Sequence, residues 1–118
     1  MELKNMFYSK YKAKKTTIDG ITFDSNAEAK RYKELKLLER GGAIKNLSLQ
    51  PRFLLQEGFV NIHTGHKERA IEYVGDFMYS EGSETIVEDC KGFKTSDYKI
   101  KRKLFIKKYQ SEYKHIET

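Results

Sequence analysis

The sequence predicts a mixed α/β (α+β) domain with a central mixed sheet flanked by helices. Two observations carry this expectation: a well-capped helix in the first third of the chain and a basic helix near its end, with several strand-like runs between them. The chain has 118 residues, a length typical of one compact domain. We assign residues 1–15 to a basic N-terminal arm and residues 16–118 to a single domain.

The first elements have clear start and stop signals. The turn at Asp19-Gly20, flanked by β-branched and aromatic residues, predicts a hairpin over Thr16–Phe23. Ser25 followed three residues later by Glu28 matches a capping box, which marks a helix start. Good helix formers continue to Arg40, where two glycines end the helix.

The rest of the chain favours strands followed by the second helix. In the run Ala70–Tyr79 we expect one continuous strand, with Ile71, Tyr73 and Phe77 on one face because strand side chains alternate. The expected elements are strands over 44–50 and 53–56, a polar loop over 61–68, strands over 70–79 and 85–91, a helix over 96–109 and a short edge strand over 113–118.

Composition narrows the class of protein. The formal net charge of +6 suits a polyanionic partner, although a solubilising lysine surface explains the charge equally well. The single cysteine, Cys90, excludes an internal disulfide and a thiolate metal cluster. The chain shows neither a membrane-spanning apolar stretch nor the apolar run of a signal peptide. We therefore expect no membrane partner and a reducing, cytoplasmic location.

Charged residues interrupt the two best strands. Asp76 lies inside one apolar run, and Asp89 and Lys91 lie in the next. Strand alternation puts Asp89 and Lys91 on one face and Cys90 on the other, with Ile86. A short turn joins the two runs, so a β-hairpin is expected to bring Asp76 beside the Asp89-x-Lys91 end.

This cluster of charges suits metal-dependent chemistry. Two carboxylates that lie close together repel each other unless a cation joins them, and hard oxygen ligands favour Mg²⁺, for which Mn²⁺ can substitute. A metal ion polarises a phosphate and lowers the pKa of bound water, while a lysine stabilises the negative charge of the transition state. The competing interpretation is a solvated cross-strand ion pair worth roughly 0–1 kcal/mol.

Glu28 has two interpretations. As the third residue of a capping box it stabilises the helix start. A glutamate in the first turn, on the sheet-facing side, would also point at the strand ends, where it could bind a metal. Spacing alone favours the capping role.

These residues resemble the PD-(D/E)xK nuclease superfamily, and within it a phage and prophage family of endonuclease-like proteins of unknown function. The likeness extends from Lys10 to about Tyr109 and also includes transposon-end and junction-resolving endonucleases. The segments that carry it are Tyr11–Lys15, Phe23–Ala29, Leu49–Phe53, Ile71–Phe77 and Val87–Gly92.

The resemblance implies a restriction-endonuclease-like core of αβββαβ-type order and a role for each site residue. Asp76 would be the first metal-binding acid, Asp89 the second, Lys91 the catalytic lysine and Glu28 the helix acid that completes the site. Gln50 matches a supporting strand position near the site. The chain departs from the pattern at Gly75, where the superfamily's name has a proline.

The implied function is a Mg²⁺-dependent DNA endonuclease that hydrolyses phosphodiester bonds, in phage DNA recombination, replication or processing inside a bacterial host. The substrate would be DNA, with branched or otherwise structured DNA among the candidates, and a homodimer is expected where both strands are cut. The alternative is a non-catalytic DNA-binding or protein-interaction module on the same fold. Candidate phosphate contacts are Lys12, Lys14, Lys15, Lys99, Lys101, Arg102 and Lys103, for which a solvated surface is the competing interpretation.

Overall fold

The computed structural model describes residues 15–90 and 92–118. Of the predicted N-terminal arm, only the exposed Lys15 lies within these ranges. Lys12, Lys14 and the predicted catalytic Lys91 lie outside the described residues, so their expected roles stay predictions.

The N-terminal hairpin and the first helix form as predicted. Strands β1 (Thr16–Ile18) and β2 (Ile21–Phe23) pair antiparallel around the Asp19-Gly20 turn. Both turn residues have positive φ, as a two-residue hairpin turn requires. Helix α1 spans Asn26–Arg40, and the Ser25 hydroxyl caps it by accepting a hydrogen bond from the Glu28 amide at 3.1 Å.

The described residues after α1 form eight strands and one helix. A four-stranded sheet has the order β10-β9-β8-β3, in which β10 runs parallel to β9 and the other neighbours are antiparallel. Strands β4 and β7 form a second ladder. The elements are β3 (Lys45–Leu49), β4 (Arg52–Gln56), β5 (Phe59–Val60), β6 (Lys67–Glu68), β7 (Ile71–Val74), β8 (Phe77–Glu81), β9 (Glu84–Asp89), α2 (Ser96–Tyr109) and β10 (Lys114–Glu117).

The single strand expected over 70–79 is wrong, because the chain breaks at Gly75-Asp76 between β7 and β8. A matching break at Gln50-Pro51 separates β3 from β4. Two backbone hydrogen bonds of 3.0 Å join the breaks, from Gln50 N to Asp76 O and from Gly75 N to Pro51 O. Two long paired strands thus bend at the same level, and the bend changes the alternation of side chains.

The polar loop expected over 61–68 is corrected in part. Lys67 and Glu68 form strand β6, which pairs antiparallel with β5. Only the tip between these strands is a turn region, so the segment is a small hairpin rather than a loop.

Apolar side chains pack on both faces of the sheet. On one face Phe77, Tyr79 and Ile86 join Tyr32 and Leu35 of α1. On the other face, Tyr73 and Val87 pack against Phe105 of α2. Tyr73 and Phe77 therefore lie on opposite faces, contrary to the expected alternation, because the break at Gly75-Asp76 separates them. The sheet lies between the two helices, a layered α+β arrangement.

Candidate active site

Three of the predicted site residues line one small cavity of about 130 Å³. Glu28 comes from the first turn of α1, and Gln50 and Asp76 come from the paired strand breaks. Gln50 adopts a left-handed backbone conformation with φ of 49°, which is uncommon outside glycine. The bend in the strands therefore turns both strand residues toward the helix. The remaining lining residues are Ile21, Thr22, Phe23, Asp24 and Leu49.

Asp76 lies beside the end of β9, as the predicted hairpin requires. The register pairs Phe77 with Glu88, and the Asp76 amide donates to the Glu88 carbonyl at 3.1 Å. The backbone amide of Cys90 donates to Asp76 Oδ2 at 2.7 Å. The carboxylate of Asp76 is thus fixed against the residue that immediately precedes Lys91. It is almost completely buried, with 9% of its surface exposed.

Asp89 faces the α2 side of the sheet and does not line this cavity. Its Oδ2 lies 2.9 Å from His115 Nε2, and the Tyr98 hydroxyl approaches it at 3.5 Å. The same His115 nitrogen lies 2.7 Å from the Tyr73 hydroxyl oxygen. Asp89 is fully buried, and its Oδ1 has no hydrogen-bond partner among the described residues. One carboxylate oxygen of Asp89 is therefore held in place by His115, while the other is a buried acceptor that no described donor satisfies.

Glu88, which sequence reasoning missed, faces α1 and is also fully buried. Arg31 donates to it through Nε at 2.6 Å and Nη2 at 3.0 Å, and the Tyr79 hydroxyl donates at 2.6 Å. The Thr118 hydroxyl completes the set at 2.9 Å. Burial alone would raise the pKa of Glu88, but the hydrogen bonds from Arg31, Tyr79 and Thr118 outweigh it and hold the pKa below its ordinary value.

Several carboxylates lie near Cys90. Burial is the main cause that raises the pKa of the Cys90 thiol above its ordinary value; a hydrogen bond with Thr118 lowers it, and the charges of Asp76, Glu88 and Glu28 raise it. Three carboxylates thus act on one point at the end of β9. Such a potential repels a thiolate and attracts a cation. The surroundings of Cys90 include carboxylates and are not simply apolar.

The cavity offers oxygen ligands of the kind that Mg²⁺ takes. Within residues 15–90 and 92–118, no three His, Cys, Asp or Glu side chains form a ready-made metal cage. Mg²⁺ does not need one, because it keeps several waters and is commonly held by one or two carboxylates together with substrate phosphates. Glu28 and Asp76, with the Gln50 side chain beside them, fit that donor set.

The basic residues predicted to contact DNA divide into two groups. Lys99, Arg102 and Lys103 line a shallow cleft of about 330 Å³ at the start of α2, whereas Lys101 does not line it. The other lining residues are Lys94, Tyr98 and Glu117. Sequence reasoning missed Lys94 and Glu117, since neither stands out until the loop after β9 and strand β10 lie beside the helix.

The sequence of the chain matches one protein family over nearly its whole length. Residues 8–117 match the family described as Protein of unknown function (DUF1064). The chain belongs to this family. No curated protein and no solved structure matches the chain. DUF1064 membership covers every element from β1 to β10, so the cavity and the basic cleft both belong to the family domain.

Neither α1 nor α2 is long and apolar enough to cross a membrane.

Proposed function

We propose that this protein is a metal-dependent DNA endonuclease with a restriction-endonuclease-like core. One observation carries the proposal: Glu28, Gln50 and Asp76, from three separate elements, line a single cavity beside the end of β9. Asp76 is fixed there by the Cys90 amide, one residue before the Lys91 of the Asp89-x-Lys91 motif.

Each residue has a chemical task in this proposal. Glu28 and Asp76 hold Mg²⁺, which when bound polarises the scissile phosphate and lowers the pKa of a bound water. Asp89 contributes from the α2 side of β9, where its negative charge adds to the field at the end of the strand. Lys91 stabilises the charge that develops on the phosphate. The Gln50 side chain orients water or phosphate by hydrogen bonding, and the basic cleft at α2 holds the DNA backbone.

The decisive experiment measures cleavage of plasmid, branched and single-stranded DNA with Mg²⁺ or Mn²⁺. We expect the wild-type protein to cut at least one substrate in a metal-dependent way. Asp76→Asn, Glu28→Gln and Lys91→Ala should each reduce the rate at least about a hundredfold, because each removes a charge used in the transition state.

Glu28→Gln also separates the active-site role from the capping role. The Ser25 hydroxyl accepts its bond from the backbone amide of residue 28, which the substitution retains. Stability should therefore be kept while cleavage is lost. The matched control is Glu34→Gln, which removes a half-exposed carboxylate from the same helix and should leave cleavage unchanged.

A melting scan gives a second readout that does not depend on activity. Mn²⁺ or Ca²⁺ should raise the melting temperature of the wild-type protein by mass action, and Asp76→Asn should abolish the shift. Absence of both the shift and any cleavage would reject the endonuclease. Retained DNA binding would then identify the non-catalytic binding module.

A further inference from the structure

We propose that the cleft between the loop after β9 and the start of α2 is a binding site for a backbone phosphate of DNA, one that neighbours the phosphate being cut. The assignment of the ligand as DNA rests on the proposed function. The cleft itself is lined by Lys94, Lys99, Arg102 and Lys103, with Tyr98 and Glu117 at its centre.

The cleft carries a net positive charge, which favours an anionic ligand. Four cationic side chains face one carboxylate, Glu117, which leaves a clear excess of positive charge in about 330 Å³. The Nε atom of Arg102 is buried and has no hydrogen-bond acceptor among the described residues. The Arg102 side chain as a whole is only partly buried, so its guanidinium can still donate to a phosphate oxygen, the acceptor that suits it best.

The contacts of the Glu117 carboxylate show which groups in the cleft bind an anionic oxygen. Its Oε2 accepts a 2.7 Å hydrogen bond from the Tyr98 hydroxyl, while Oε1 lies 3.5 Å from Lys94 Nζ and 3.8 Å from Arg102 Nε. The Tyr98 hydrogen bond, helped by the charges of Lys94 and Arg102, lowers the pKa of Glu117 against the effect of burial. The carboxylate therefore occupies part of the space that a phosphate would take and competes with it.

The cleft also lies next to the proposed cleavage site. The same Tyr98 hydroxyl that donates to Glu117 approaches Asp89 Oδ2 at 3.5 Å. One tyrosine thus separates the basic cleft from the second acid of the motif. Asp89 directly precedes Cys90, whose amide holds Asp76 of the cavity, so a DNA strand that crosses the end of β9 would reach both the cavity and the cleft.

The test measures DNA binding in Ca²⁺, so that no cleavage is required, for a short duplex and for a single strand of the same sequence. Arg102→Gln and Lys94→Gln should each weaken binding, Arg102→Gln about tenfold because it removes a charged hydrogen bond. Each should also reduce the slope of log K against log salt by about 1. Lys101→Gln, one residue away on the same helix but outside the cleft, is the matched control and should have a smaller effect.

Glu117→Gln gives the opposite and most specific result. It removes the competing charge but keeps a side-chain oxygen that can accept from Tyr98, so binding should become tighter. A purely structural role for Glu117 would instead leave binding unchanged or weaken it, which would overturn the proposal. Equal losses for Lys101→Gln and Arg102→Gln would also overturn it, since they would show a diffuse charge effect.

A competition measurement and the combined results of the binding and cleavage experiments distinguish this inference from the proposed function. Inorganic phosphate at millimolar concentration should compete only weakly with DNA, because it lacks the neighbouring contacts along the strand. If no DNA is ever cut but the Arg102, Lys94 and Glu117 variants behave as expected, the cleft is upheld and the nuclease is rejected. If cleavage occurs and these variants match Lys101→Gln, the nuclease stands and the cleft is rejected.

Discussion

At the scale of single residues, the adjacent acids Glu88 and Asp89 decide how the end of β9 is built. Neighbouring strand residues point to opposite faces, so one acid meets Arg31 of α1 and the other meets His115 of β10. Both carboxylates are fully buried. A buried charge is tolerated only with a partner, which makes each partner costly to remove.

Arg31→Met is the sharpest test at this scale. It leaves the Glu88 carboxylate buried without its cation, so we expect a loss of roughly 3–5 kcal/mol in the free energy of unfolding, measured by urea denaturation. Arg52→Met is the control, because Arg52 pairs with Glu72 on an exposed surface and should cost only about 0–1 kcal/mol. Equal losses for the two variants would show that Glu88 does not depend on Arg31.

The sequence indicated Asp89 but not Glu88, and the reason is physical. Alternation shows that adjacent acids must face opposite ways, yet it does not show which faces are buried. That depended on the positions of α1 and β10, whose residues Arg31 and His115 pair with the two acids and are far away in sequence. Asp76 was predicted from its position inside an apolar strand, and Glu28 and Gln50 largely from a resemblance. The structure brings all three to one cavity.

At the scale of elements, the paired breaks at Gln50-Pro51 and Gly75-Asp76 position the candidate site. Helix and strand limits were mostly predictable from capping, turns and alternation. The break in the 70–79 strand was not, because a single glycine inside a strand-like run does not distinguish a bend from a straight strand. The break is evident only in the structure, where the Gly75 amide donates a hydrogen bond to the Pro51 carbonyl of the paired strand.

Gly75→Ala tests how tightly the break is packed. A Cβ at residue 75 would lie 2.9 Å from Val87 Cγ1, and the fully buried, β-branched Val87 has little freedom to move. We expect a loss of about 1–3 kcal/mol in unfolding free energy, measured by urea denaturation, as for other overpacked cores. A proline at residue 75 would in addition lose the hydrogen bond that the Gly75 amide donates to the Pro51 carbonyl.

Gly41→Ala is the matched glycine control. Gly41 ends α1 with φ of −80°, and a Cβ there would meet its nearest neighbour, the Leu37 carbonyl oxygen, at 3.4 Å. Alanine accepts this backbone conformation, so the change should alter stability by less than about 1 kcal/mol. If Gly75→Ala were equally mild, the break would be more adaptable than its contacts indicate.

At the scale of the whole molecule, buried titratable groups on both faces of the sheet set the pH range of stability. Hydrogen bonds that outweigh burial lower the pKa of Glu88, and the bond from Tyr98 lowers that of Glu117. Burial raises the pKa of Tyr79 and Tyr98, reinforced by their bonds to the same two carboxylates. On each face of the sheet, a tyrosine hydroxyl thus donates a hydrogen bond to a carboxylate.

The signs of these shifts predict a plateau of stability with two limits. A carboxylate whose pKa is lowered by folding contributes stability that is present above its ordinary pKa of about 4.3 and is lost as the pH falls through the folded value. A phenol whose pKa is raised contributes stability that is present below about pH 10 and is lost as the pH rises toward the folded value. Urea denaturation between pH 2 and 11 should therefore show a fall at each end.

Two substitutions test which residues cause the loss of stability at acid and at alkaline pH. Glu88→Gln should lower stability at neutral pH and flatten the acid limit, because the residue with the lowered pKa no longer titrates. Tyr98→Phe should flatten the alkaline limit and leave the acid contribution of Glu88 in place. Stability that increased on acidification below pH 4 would contradict the sign derived for Glu88, and an alkaline limit unchanged in both Tyr98→Phe and Tyr79→Phe would contradict the role of the phenols.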